Sequence, residues 1–238
     1  MNNRRDPAAP AGQFGPNIYA TWRESSLGEI TETLEQRLLL RLAGDLHGRT
    51  MLDVGCGDGT LTRIFARAGI SSVIGCDIDP RMIARATAQA AQENQPIPYI
   101  VANALHLPFA CQKFDIVTAV TILAFIPNPE RAIHEMARVL KPGGRLIIAD
   151  LGKWNFWAAR RRIRAWLGAP LWRAATFRTA SQLRALAPPE KLQIEHVSGA
   201  IFFPPYLPLA RLLAPWDPIL GERTTLGAAF IAVQLRKK

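Results

Sequence analysis

A chain of 238 residues that is 49% hydrophobic has room for one sizeable α/β domain with a full core. It contains no apolar run of about 18 residues, which argues against a transmembrane helix, and its basic start has no apolar stretch behind it, which argues against a secretory signal. The net charge of +10 is uneven: residues 1–150 hold 15 Lys+Arg against 15 Asp+Glu, whereas residues 151–238 hold 14 against 4. The three cysteines, Cys56, Cys76 and Cys111, lack metal-type spacing. They fit buried or incidental thiols in a reduced, cytoplasmic protein.

Residues 1–17, rich in Pro, Gly, Asn and Arg, are expected to form a disordered tail ahead of a single domain at 18–238. The segment 18–48 carries Tyr19 and Trp22 and then a helix over Ser26–Ala43. In that helix Leu27, Ile30, Leu34, Leu38 and Leu42 recur at three- and four-residue steps, so one face should pack on a sheet. Residues 49–150 read as the core. Met51–Val54 is a short apolar strand containing Asp53, and Gly55, Gly57 and Gly59 form a turn before a helix that opens near Thr60. Glycines let the backbone turn sharply and approach a ligand, and the helix start offers free N–H groups. A dinucleotide turn would need a sixth-position glycine after Gly55, and position 60 is Thr. A carboxylate at Asp53 repels a pyrophosphate and suits a cationic ligand such as an amine or a sulfonium.

Leu61, Ile64, Phe65 and Ala68 are expected on the inward face of the following helix. Ser72–Asp77 is a second strand. Asp77 lies 24 residues beyond Asp53, near the spacing of an acid that reads ribose hydroxyls, while Asp79 precedes Pro80 and fits a helix cap. A helix over Pro80–Glu93 and a third strand lead into Asn103, Ala104 and His106. Phe114–Val120, almost wholly apolar, reads as a buried parallel strand. Asn128 to Leu140 is a helix with Ile133, Met136, Ala137 and Leu140 inward, stopped by Lys141-Pro-Gly-Gly144, and Arg145–Asp150 is strand five.

Leu52-Asp53-Val-Gly-Cys-Gly-Asp-Gly-Thr60 resembles motif I of the class I S-adenosylmethionine-dependent methyltransferases, of the type 11 or ubiquinone–menaquinone kind. Val73–Pro80, Phe114–Ala119 and Pro127–Gly144 resemble later motifs of that family, in order and at its spacing, over roughly residues 49–150. The resemblance implies a Rossmann-like, doubly wound seven-stranded sheet with the last strand antiparallel and helices on both faces. It implies S-adenosylmethionine as cofactor and S-adenosylhomocysteine as product. Cofactor contacts are implied for Asp53, Gly55, Cys56, Gly57, Asp77, Ile78, Asn103, Ala104 and Ala119, with Tyr19 and Trp22 in a lid. The chain departs from the family at Asn103, where Asp is usual, although an Asn carbonyl still accepts a hydrogen bond from an amino group. It also lacks the Asn-Pro-Pro-Tyr motif of base-modifying relatives, which disfavours a nucleobase substrate.

Residues 151–180 form an insertion with its own character. On a helix, Phe156, Ala159, Ile163, Trp166 and Leu167 share one face, Arg160 flanks it, and Arg161, Arg162 and Arg164 point elsewhere. Such a segment fits a cap packed on the domain, or peripheral contact of 154–167 with an anionic membrane at the inner face; RNA is the third alternative. Thr179 or Ser181 caps a short helix. Leu192–Val197 and Ala228–Leu235 read as the last strands, with 199–221 as a Pro-rich apolar loop walling the pocket. The implied reaction is methyl transfer to a small apolar or amphiphilic acceptor, at oxygen or carbon. An RNA methyltransferase or a non-catalytic cofactor-binding protein are the alternatives. If the acceptor needs a base, His106, His196 and Asp150 are the candidates by position. No metal site is expected.

Overall fold

The computed structural model describes residues 22–238, so the tail 1–17 and Tyr19 lie outside the described residues. Seven strands run β1 Thr50–Val54, β2 Ser72–Asp77, β3 Tyr99–Val101, β4 Phe114–Val120, β5 Leu140–Leu151, β6 Leu192–Ala200 and β7 Phe230–Lys237. They form one sheet in the order β3-β2-β1-β4-β5-β7-β6. Pairings from β3 through β5 are parallel, and β7 runs antiparallel to both β5 and β6. The doubly wound sheet with an antiparallel last strand is the architecture expected from the sequence.

Alternation along the central strands divides the core into two layers. Leu52, Val54, Val117, Leu146 and Ile148 face one side with Ile133 and Met136 of helix α4, Pro129–Val139. Met51, Ile116 and Ile147 face the other with Leu34, Leu38 and Leu42 of helix α1, Ser26–Ala43. Helices α2, Thr60–Arg67, and α3, Pro80–Gln92, follow β1 and β2. In α2 only part of the expected face is inward: Phe65 is buried but Ala68 is exposed, and Thr62 and Arg63 are buried instead. The reason is chemical, because Thr62 and Arg63 have polar partners beneath the glycine turn.

Two further expectations are corrected. Strand β5 begins at Leu140 rather than Arg145, because Leu140 pairs with Phe114 and the register then slips before Ile116 pairs with Arg145. The 199–221 stretch is not an irregular loop. It contains helices α8, Leu207–Leu213, and α9, Asp217–Arg223, each with proline in its first turn. Proline reads as a breaker, yet the first turn of a helix tolerates it. Buried Asp217 accepts the backbone N–H of Ile201 at 3.0 Å and of Phe202 at 2.8 Å, which ties α9 to the end of β6.

The inserted segment forms α5, Phe156–Trp166, then the short helices α6, Pro170–Ala174, and α7, Ala180–Ala185. Thr179 caps α7 in a reciprocal capping box with Gln182. No helix among the described residues is long and apolar enough to cross a membrane.

Candidate active site

Strands β1 and β4 are neighbours from which the chain winds in opposite directions, so their carboxyl ends open a crevice. The glycine turn stands at its mouth. Gly55, Gly57 and Gly59 all hold positive φ, at 72°, 56° and 75°. The N–H groups of Gly55 and Cys56 donate to the Cys76 carbonyl at 2.7 and 2.9 Å, which locks the turn to β2. The glycines serve different ends. A Cβ on Gly55 would stand 2.2 Å from the Ile122 side chain, and one on Gly59 2.5 Å from the Tyr99 hydroxyl, so both are required by packing. A Cβ on Gly57 would meet nothing within 4 Å. The backbone there faces open space, which is what a ligand laid along it needs.

Asp53 does not line that space. It is 2% exposed, and its oxygens accept from Thr62 Oγ1 at 2.6 Å and Thr118 Oγ1 at 2.8 Å. Burial pushes its carboxyl up from the usual range against the pull of these donors. In this structure it fastens β1, β4 and α2 beneath the turn. Cys56 is likewise buried, with its thiol pushed up by burial.

Asp77 lies at the end of β2 beneath the glycine turn. Its Oδ2 accepts the Gly57 N–H and its Oδ1 the Asp79 N–H, each at 2.9 Å, leaving a further acceptor position on each oxygen. Burial pushes its carboxyl up from the usual range, against the pull of the Asp79 and Gly57 N–H groups. Asp79 caps α3 through the Arg81 N–H, as its sequence position suggested. Next to Asp77 the Ile78 side chain is exposed, an apolar ledge at the strand end. Across from it, Asn103 accepts the Leu105 N–H at 2.9 Å in a local turn, so one lone pair of its carbonyl is committed. Ala104 is half-buried there. Ala119 is buried near the end of β4, and Thr121, just past the strand, holds φ of 58°. A non-glycine in that conformation is a strained backbone position on the rim of the crevice.

Features of the site that the sequence did not disclose come from distant segments. Arg23 makes an ion pair with Asp58 of the glycine turn and donates to Thr60 Oγ1 at 2.7 Å. Its neighbour Trp22, expected in a lid, packs edge-on against Trp157 of α5 with ring centroids 6.2 Å apart. Helix α1 thus begins in a strap between the turn and the inserted cap. Thr62, Thr118 and Thr121 left no local pattern, since their partners are remote in sequence.

The three base candidates separate. Asp150 ends β5 near the crevice but is 1% exposed, with Arg178 Nη1 at 3.0 Å from its Oδ2, and burial raises its pKa to about 7. Arg178 also donates to the Leu123 carbonyl. This pair pins the cap to the sheet and is closed to a substrate. His196 lies on the edge strand β6, lining a cleft of about 490 Å³ with Arg41, Arg145 and Arg236 towards the amino ends of β5 and α1's last turn, away from the glycine turn. His106 is exposed beyond β3 beside Arg131. None of the three stands over the glycine turn.

Residues 52–148 match the methyltransferase domain family model. A methyltransferase from Streptomyces halstedii, GfsG, is 34% identical over 58% of this chain and 52% of its own length. The ubiquinone biosynthesis O-methyltransferase of Photorhabdus laumondii is 31% identical over 57% and 53%. The chain thus spans about half the length of the curated relatives it matches. Over residues 52–148 it is similar in sequence to S-adenosylmethionine-dependent methyltransferases. Its fold as a whole is shared with a Thermotoga maritima methyltransferase structure, described as a possible histamine N-methyltransferase, with a TM-score of 0.71 at 21% identity over 94% of this chain and 96% of that one. It is also shared with the cyclase SpnF, TM-score 0.65 at 20% identity over 85% and 80%.

S-adenosylmethionine is the cofactor that similarity to such methyltransferases implies, and the residues fit it. Open space over Gly57 accommodates an extended chain, Asp77 keeps acceptor positions, and Ile78 offers an apolar surface. A pyrophosphate cradle would need a glycine at position 60, where the chain has Thr60.

Proposed function

We propose that this methyltransferase transfers a methyl group from S-adenosylmethionine to an oxygen or carbon of a small apolar or amphiphilic acceptor. The observation that carries it is the turn at Gly57, open above and held to Asp77 below, at the switch point of the sheet. The cofactor supplies an electrophilic sulfonium methyl. The chain's own residues bind and orient. Asp77 would accept the ribose hydroxyls, Ile78, Asn103 and Ala104 would flank the base, and the Gly55–Gly57 backbone would hold the amino-acid part. Ala119 and Thr121 bound the reacting side, where Phe125 and the cap residues Thr176 and Phe177 narrow the mouth: the Thr176 N–H donates to the Ala124 carbonyl at 2.9 Å. Such a crevice accelerates transfer by holding reactants in line and excluding water. Several relatives are named for ubiquinone O-methylation, which supports an amphiphilic phenol-like acceptor. Work as a cytoplasmic protein in peripheral contact with the inner membrane face belongs to the same reading.

The test is S-adenosylhomocysteine release with a panel of amphiphilic phenols, quinols and acidic-carbon acceptors. Turnover with one of them, absent in Gly57→Val, is expected. Turnover confined to RNA would overturn the acceptor class.

A further inference from the structure

Helix α5 turns its expected inner face outward. Phe156, Ile163, Trp166 and Leu167 are 68%, 57%, 83% and 71% exposed. The helix is held instead by its opposite side. Trp157 is buried and its indole N–H donates to the Phe203 carbonyl at 2.8 Å, and Ala158 is fully covered. The Arg161 guanidinium lies over the rings of Trp157 and Trp172, at 5.7 and 4.9 Å. Arg162 lies over Trp154 and Phe177 and donates to the Lys153 carbonyl at 2.9 Å. Two of the arginines are therefore structural, while Arg160 and Arg164 remain exposed beside the apolar stripe.

This helix also stands at the carboxyl end of β5. It rises directly from the end of β5, where Asn155 Nδ2 donates to the Gly152 and Ala228 carbonyls at 2.8 and 2.9 Å. The chain returns to the same edge through the Arg178 N–H on the Leu151 carbonyl. Between 151 and 189 there are eight Lys and Arg and no Asp or Glu.

We propose that the outward face of α5 docks on an anionic lipid bilayer, with Phe156, Ile163, Trp166 and Leu167 in the interface and Arg160 and Arg164 on the headgroups. The inference rests on the amphiphilic-acceptor reading above and names the partner surface that delivers such an acceptor. A contiguous exposed apolar stripe marks an interaction site, and aromatic anchors flanked by arginines suit the headgroup boundary. The occupant follows from charge and polarity together. A second copy would set one acid-free segment against another, which like-charge juxtaposition opposes. Nucleic acid would engage the arginines and leave four apolar side chains in water. An anionic bilayer satisfies both.

The experiment is partition of the full chain into sedimented vesicles of equal phosphatidylglycerol and phosphatidylcholine, against phosphatidylcholine alone, at low and high salt. Binding to the anionic vesicles is expected, falling steeply with salt. Arg160→Gln with Arg164→Gln should weaken it by about 25-fold, at about fivefold for each headgroup arginine. Ile163→Ser with Trp166→Ser should reduce it at every salt concentration. Each pair should leave S-adenosylhomocysteine affinity and the thermal transition unchanged. Failure of the wild type to bind anionic vesicles at low salt overturns the proposal. So does a dimer in solution that the Ile163/Trp166 pair dissociates without any vesicle binding, or RNA binding that needs the arginines but not the apolar residues. Vesicle binding with no transfer to any amphiphile would leave the docking surface standing and remove the acceptor reading. Transfer to dispersed acceptors without vesicle binding would do the reverse.

Discussion

The sheet up to β5 and the cap that follows it solve opposite problems. From β1 to β5 the charges balance, the side chains at the strand centres are wholly buried, and the buried acids are paired: Asp53 with two threonines, Asp79 with its own helix. From 151 onward the charge is one-sided, and large apolar residues such as Trp166 and Leu167 stand in water. The first region makes a rigid place for one cofactor. The second stays attached through a few specific anchors, which leaves its outer face free for a partner. The anchors are Trp157 on the Phe203 carbonyl, Asn155 on the strand ends, and the Asp150–Arg178 pair.

If the cap hangs on those anchors, removing one should cost more than removing any cofactor contact. Arg178→Ala leaves Asp150 buried without its cation and the Leu123 carbonyl without its donor. Breaking a buried pair from one side costs about 3–5 kcal/mol, so chemical denaturation should show a loss of that size. The double variant Asp150→Asn/Arg178→Ala should recover part of it. A loss within about 0.5 kcal/mol, the scale of ordinary surface substitutions, would show that the cap is held elsewhere.

On the cofactor side, Asp77→Ala should weaken S-adenosylmethionine binding by about 1.5–3 kcal/mol, the scale of hydrogen bonds to a charged acceptor. Because Asp77 also receives the Gly57 and Asp79 N–H groups, it fastens the turn. Stability should therefore fall as well, by about 1–3 kcal/mol for the unsatisfied donors. Calorimetry and thermal unfolding on the same variant separate the two effects. A folded variant with unchanged affinity would remove Asp77 from the ribose site.

The contrast between the regions also explains what the sequence could disclose. Strand β4 was legible because both its faces are buried and nearly every residue must be apolar. Helix α4 was legible because Asn128-Pro129 caps it and Ile133, Met136 and Ala137 share a face. Of the site, the glycine spacing, Asp77 and the Asp79 cap were legible, since each depends on residues close in sequence. The threonines under Asp53 were not, because Thr118 is 65 residues from its partner. Nor was the orientation of α5. Its apolar stripe, by the ordinary rule, faces a core, but the core contact is made by Trp157 and by arginines stacked on rings, a solution that leaves no hydrophobic period. Helices α8 and α9 were hidden by the prolines of their first turns.

The smallest predicted effect lies at the seam between the regions. Glu35 of α1 is half-buried near Arg161 of α5, and its pKa is raised to about 7. Burial is the leading cause and outweighs the opposing pull of Arg161, with Glu32 adding to the rise. An acid whose folded pKa exceeds its unfolded value holds its proton longer in the folded state. Its contribution is full below the unfolded value of 4.5 and is lost as pH rises through about 7. Glu35→Gln copies the protonated form at every pH. Near pH 4.5 the variant and wild type should unfold at similar temperatures. By pH 8 the variant should be the more stable, by on the order of 1–2 kcal/mol. Adding Arg161→Met to the wild type removes the compensating cation and should widen the gap. A Glu35→Gln variant less stable than wild type at pH 8 would mean that Arg161 wins over burial, and that the seam is held by an ion pair rather than by a neutral carboxyl.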